Sequence, residues 1–150
     1  MPNVSRILVP VDHSPGLEAV IDYACVVARG LGASLTLLHV YEPPNEMVGV
    51  VAGATVAGEE SAEHTVGGTL LDHAAALVHA GGIASVDRIL ERATPATRAI
   101  VSHARTGKFD LIVMGTHARR GVSRLVMGSV LDSVLHDAPC PVLAIHLPPD

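Results

Sequence analysis

The sequence predicts an open α/β sheet of parallel strands with helices on both faces, built as one domain over residues 1–150. Three observations predict it. Five short aliphatic runs alternate with longer segments of helical periodicity. The runs are nearly continuous rather than alternating, which suits strands covered on both faces. Hydrophobic residues make up 49% of the chain against 17% charged, enough to bury a core. With one Phe, two Tyr and no Trp, that core must be aliphatic.

The first run is Ile7-Leu8-Val9-Pro10-Val11. Ser14-Pro15 then reads as an N-cap followed by proline at the first helical position. Leu17, Val20, Ile21, Ala24, Val27, Ala28 and Leu31 recur at helical spacing, and Gly30 and Gly32 stop the helix. The second run is Ser34 to Val40. Met47 to Gly58 is low in complexity, and the stretch at about 43–58 reads as a mobile loop covering part of a ligand site. A second helix runs from Glu59 to Ala80 and ends at Gly81-Gly82. The third run, Ser85 to Leu90, is more polar and suits a strand nearer a sheet edge. Thr94-Pro95 repeats the helix-start signal, with Ile100, Val101 and Ala104 on one face and Gly107 as the stop. Leu111 to Met114 is the fourth run. A last helix from about Ser129 to His136 precedes Pro139, and Val142 to Ile145 closes the pattern.

Composition excludes several function classes. A net charge of −5 and the scarcity of aromatic rings argue against nucleic-acid binding, despite the local cluster Arg119, Arg120 and Arg124. Cys25 and Cys140 lie far apart without CxxC spacing and read as small buried hydrophobes in a reducing compartment. Met1 to Arg6 lacks a basic region followed by an apolar one, and Met47 to Ala57 is too short to span a bilayer, which takes about 20 residues. The expected location is cytoplasmic, with no membrane partner. Nine histidines raise the question of a metal. His64, His73 and His79 are spaced poorly for one helical face, and HExxH is absent, so no metal site is assigned. No GxSxG elbow is present, and no poised base stands near the glycine loop. The expectation is therefore a binding protein, with no catalytic residue assigned.

The most informative stretch runs from Met114 to Ser129. It leaves a buried strand at Gly115 and enters a helix near Val130. Unpaired backbone N–H groups and the helix dipole at such a junction favour an anion. Ligands of open α/β sheets bind beyond the carboxyl ends of the strands, where the strand order reverses. Asp12 follows the first strand as Gly115 follows the fourth. If those strands are neighbours, Asp12 faces the glycine loop, where its carboxylate could bind a ribose hydroxyl or help hold a divalent cation. The other reading is that Asp12 caps the turn Asp12-His13-Ser14-Pro15. Both stay open on sequence. GxxxxGK[ST] is absent, as is GxGxxG after the first strand.

What the loop does contain, Gly115-x-x-Ala118 and nine residues later Gly128-Ser129, resembles the Gly-x-x-Gly-x9-Gly-Ser/Thr signature of the universal stress protein family. The blocks ILVPVDHS (7–14), LTLLHV (35–40), DLIVMGTH (110–117) and APCPVLAI (138–145) resemble that family's blocks in the same order. The resemblance implies a Rossmann-like, adenine nucleotide alpha hydrolase-like sheet of order 3-2-1-4-5. It implies ATP or another adenine nucleotide as ligand, with Mg at Asp12 as an option. Pro10, Val11 and Asp12 would line one side, with Asp12 on the ribose or metal. Val40 would contact adenine, and Met114 and Gly115 would form the floor. His117 and Ala118 lie in the loop, and Gly128, Ser129 and Val130 would bind phosphates. Homodimers through Val142–Ile145 are also implied, in line with the exposed aliphatic edge that strand would present.

Ala118 departs from the pattern, standing where ATP-binding members have their second glycine. If the native φ is positive, alanine there costs roughly 1–2 kcal/mol, about tenfold in affinity. The leading expectation is an adenine-nucleotide-binding stress-response regulator without fast turnover. The alternative is a stress-response interaction module that acts as a homodimer and binds no nucleotide. A third is a slow ATPase or self-phosphorylating protein, with Ser123 or Ser129 as acceptor.

Overall fold

A computed structural model describes residues 2–42, 56–116 and 129–147, with the side chains of 56–61 and 129 left aside. The elements in chain order are β1 (Arg6–Pro10), α1 (Leu17–Leu31), β2 (Ser34–Tyr41), α2 (Val56–Ala80), β3 (Val86–Arg92), α3 (Ala96–Thr106), β4 (Leu111–Gly115), α4 (Ser129–Asp137) and β5 (Val142–Ile145). All pairings are parallel and the order is β3-β2-β1-β4-β5, so both the order and the two edge strands match the sequence expectation.

Alternation along the central strands divides the core in two. Ile7, Val9, Leu35, Leu37 and Val113 face α1 and α2 with Val20, Ile21, Ala24, Leu70, Ala74 and Val78. Leu8, Leu38, Ile112 and Met114 face α3 and α4 with Ile100, Ala104, Leu131 and Val134. Phe109 is the aromatic ring of this second cluster, and Arg6 stacks its guanidinium over it at 4.8 Å. Cys25 is buried in the first cluster and Cys140 is half-buried; both thiols are free, and burial raises each pKa above its ordinary value. No described helix is long and apolar enough to cross a membrane.

Several boundaries differ from expectation for physical reasons. α1 starts at Leu17, with Gly16 rather than Ser14 at its N-cap. The Asp12 carboxylate takes the Ser14 N–H at 3.0 Å, committing 12–14 to a turn. Ser14 therefore meets the helix only through its carbonyl, which accepts the Leu17 N–H at 3.3 Å. Pro95 is the N-cap of α3 instead of its first residue, and the Ala96 N–H is taken by Glu42 Oε1, 3.3 Å away at the end of β2. α2 begins at Val56, so 56–58 are helical where a loop to Gly58 was expected; the rest of that loop, 43–55, lies outside the described residues. At the end of α3 the left-handed residue is Lys108, with φ 51°, and not Gly107. Gly107 is glycine for room, since a Cβ there would lie 2.5 Å from the Phe109 ring.

Candidate functional site

The strand order places the carboxyl ends of β1 and β4 side by side. Their ladder runs Ile7 opposite Leu111 and Leu8 opposite Ile112. Beyond it, Pro10–Asp12 and Met114–Thr116 continue to the rim of the sheet. In a parallel crossover the helix returns antiparallel to the strands, which brings the N-terminus of α4 to the same rim.

Three expected residues share one face there. Pro10, Val40 and Met114 continue the alternation of Leu8, Leu38 and Ile112 on the α3/α4 side. Met114 is buried, and Pro10 and Val40 are half-buried, so together they present a partly open apolar wall. Val11 points the other way, into the α1/α2 core, and its N–H is held by the Leu38 carbonyl at 2.8 Å. It shapes the rim without offering a side chain to it.

Asp12 is exposed beside this wall, and its Oδ1 accepts the Ser14 N–H. The turn role is therefore real, and it orients the carboxylate at the rim. Gly115 has an equally local explanation. Its φ is not left-handed, yet a Cβ would stand 2.8 Å from Val20 Cγ2 and 3.0 Å from Leu147 Cδ1. Close packing of α1 and the chain's end accounts for the glycine without any phosphate. Ser129 opens α4 and Val130 follows it, exposed. His117, Ala118 and Gly128 lie outside the described residues, together with Arg119, Arg120, Ser123 and Arg124.

Sequence reasoning missed three contributors. His39 is buried, and its Nδ1–H donates to the Val11 carbonyl at 2.8 Å, while the His13 ring meets it edge-on at 5.7 Å. Because a carbonyl only accepts, this bond fixes the Nδ1-protonated form. The signal was available: His39 has the inward parity of Leu35 and Leu37. Gly16 and Leu147 are the other two. A Cβ on Gly16 would lie 2.0 Å from Leu147 Cδ1, and the Leu147 N–H donates to Thr116 Oγ1 at 3.1 Å. His64 lies edge-on to Tyr41, and His79 bonds the Ile83 carbonyl. Among the described residues no three His, Cys, Asp or Glu side chains converge as a metal site. Chemically, the rim combines an apolar wall, one oriented carboxylate and a helix N-terminus. That set suits a flat apolar ring carrying a polar, anionic tail.

Comparison with known proteins points to one family. The universal stress protein family model matches residues 3–146. A universal stress protein of Thermus aquaticus is 34% identical over 142 residues, covering 93% of this chain and 97% of that one. Among solved structures, a universal stress protein family member from Burkholderia pseudomallei is 27% identical with a TM-score of 0.74, covering 94% and 95% of the two chains. An Archaeoglobus fulgidus universal stress protein in complex with dAMP is 24% identical with a TM-score of 0.66, covering 97% and 99%. A universal stress protein in complex with cAMP is 22% identical with a TM-score of 0.67, covering 96% and 98%.

Proposed function

The chain belongs to the universal stress protein family, and we propose that it binds an adenine nucleotide at the rim between β1 and β4 and acts as a stress-response regulator without fast turnover. The observation that carries this is the adjacency of β1 and β4, which gathers Pro10, Asp12, Val40, Met114 and the start of α4 at one end of the sheet. The dAMP and cAMP bound by two fold neighbours support the ligand class. In this reading the base lies along Val40 and Met114, and Asp12 takes the ribose or a nucleotide-bound Mg. Gly128, Ser129 and Val130 supply N–H groups to the phosphates. Two copies pair through β5, an edge whose Val142 and Leu143 are half-buried and whose Ala144 is exposed. The free thiols fit a reducing cytoplasm.

One observation favours the second reading, an interaction module without nucleotide. Gly115 and Asp12 both have structural duties that do not require a ligand. Releasing and chromatographing any co-purified nucleotide, then titrating ATP and AMP with and without Mg, separates the two. We expect an isotherm at or below millimolar concentration, tightened about tenfold by Ala118→Gly. Silence from both the wild type and Ala118→Gly would leave the interaction module standing.

A further inference from the structure

We propose that Leu147 is a positioning residue for the rim site, a wedge that sets how far apart the ends of β1 and β4 stand. The inference rests on the nucleotide reading above and adds to it a residue beyond the last strand.

The ladder between β1 and β4 runs through Ile7–Leu111 and Leu8–Ile112, several residues short of Asp12 and Gly115. Spacing at the rim must therefore come from side chains. Leu147 Cδ1 occupies the place where Gly16 and Gly115 would each carry a Cβ, 2.0 and 3.0 Å away. Gly16 belongs to the segment after β1 and caps α1; Gly115 ends β4. Neither has a left-handed φ, so neither is glycine for backbone reasons. Gly16 leaves room for the leucine, and Gly115 leaves room for the same leucine together with Val20, whose Cγ2 would stand 2.8 Å from a Cβ there.

The leucine is held there at its backbone as well. The Thr116 N–H donates to the Ile145 carbonyl at 2.9 Å, and Thr116 Oγ1 accepts the Leu147 N–H at 3.1 Å. These bonds carry the β4–β5 pairing past Ile145 and turn the half-buried Leu147 onto Val20 and the α1/α2 core. One side chain thus touches the segment after β1, the end of β4 and α1. Truncating it frees the Asp12 turn to shift relative to Gly115, and misplacement of that kind lowers affinity at a site read by position.

The test measures ATP and AMP affinity by calorimetry, with thermal unfolding alongside, in the wild type and in the Ala118→Gly background. Leu147→Ala should weaken binding about tenfold, and Leu147→Met should recover most of it. Gly16→Ala, which expels the leucine from the other side, should reproduce the loss. Thr116→Val, which removes the acceptor for Leu147, should give a smaller loss in the same direction. Leu77→Ala is the control, because Leu77 packs on the same core from the C-terminal turns of α2, at the end of the sheet opposite the rim. It should lower the melting temperature and leave affinity within about twofold. Wild-type affinity in Leu147→Ala overturns the wedge, as does an equal loss in Leu77→Ala, which would mean general loosening. If Leu147→Ala does not fold, Gly16→Ala and Thr116→Val decide by the same criteria. Absence of binding in both parent proteins overturns the wedge and the nucleotide reading together, whereas intact parents with unaffected variants overturn the wedge alone.

Discussion

The two ends of the sheet are built on opposite plans. At the amino ends, neighbouring strands are tied directly to one another. Asp110 Oδ2 accepts the Ser5 N–H, the Ser5 hydroxyl and the Arg6 N–H, each at 2.9 Å. The Asp110 N–H returns to the Arg6 carbonyl, and Ser34 bonds the Ser5 carbonyl through both its N–H and its hydroxyl. At the carboxyl ends the bonds stay largely within one side of the rim. Asp12 holds Ser14 in its own turn, and Thr116 holds Leu147 on the β4–β5 side. Cross-linking the amino ends fixes the register of β1, β2 and β4 there. At the carboxyl ends backbone bonds tie β1 to β2 and β4 to β5, while the β1–β4 ladder stops at Leu8–Ile112, below the point where the helix N-terminus arrives. With the proposed site at the rim, the cross-links that fix register lie at the end opposite the binding residues.

That separation predicts which measurement each substitution moves. The largest effect belongs to Asp12→Ala. A hydrogen bond that the carboxylate accepts from a bound ribose hydroxyl contributes about 1.5–3 kcal/mol, so nucleotide affinity should fall roughly ten- to a hundredfold. Melting temperature should fall little, since the lost turn bond is exposed. An Asp12→Ala protein that binds like wild type would empty the rim of its assigned carboxylate.

His39→Leu comes next and probes the buried polar tie between β2 and the Val11 carbonyl at the carboxyl end. It leaves the Val11 carbonyl without its donor, which costs about 1–3 kcal/mol of stability. Because Val11 precedes Asp12, affinity should fall as well, and calorimetry on the folded variant reads both. A loss of stability with no loss of affinity would confine His39 to the core.

Much of this architecture was legible in the sequence, and the failures share a cause. The aliphatic runs marked all five strands because burial on both faces leaves no room for polar residues. The polar Ser85, Asp87 and Arg88 marked β3 as an edge; the strand runs on to Arg92, with Arg88 paired to Asp72 and Glu91 to His103. Asp12 and Gly115 were found because the pattern places them where strands end, whereas Pro10 and Val40 came with the family resemblance. Gly16 and Leu147 were not, because their meaning lies in a contact between segments more than a hundred residues apart. The same reason hid the duty of Gly115: glycine before a helix suggests phosphate, whereas here a leucine fills the space. The starts of α1 and α3 missed by two residues and one, where Asp12 drew the Ser14 N–H into a local turn and Glu42, from the end of β2, took the Ala96 N–H.

A smaller effect is expected at Asp110, on the opposite end. The bonds from Ser5 and Arg6 hold its carboxyl below the ordinary carboxylate range. A depressed folded pKa means stability that is present above the ordinary value, near 4, and lost as pH falls through the folded one. The melting temperature of Asp110→Asn should therefore lie below wild type at neutral pH, and the gap should close on acidification as the wild-type carboxyl takes up its proton. Affinity at neutral pH should not change. A gap that stays constant with pH would show that the carboxylate's charge contributes nothing there.

Lys108→Gly tests the same end with the smallest expected change and the opposite sign. Lys108 sits at φ 51° in the turn from α3 to β4, a conformation costing a side-chain-bearing residue roughly 1–2 kcal/mol. Glycine removes that cost but adds about 0.5–1 kcal/mol of lost chain entropy on folding. The balance is a stabilisation of at most about 1.5 kcal/mol, or roughly 3–6 °C for a domain of this size. The turn leads through Asp110 into β4 at the amino end, so the gain should appear in thermal unfolding and leave nucleotide affinity untouched. If tightening this turn shifts affinity as well, the two ends of the sheet are mechanically linked through β4, and their separation fails at its mildest test.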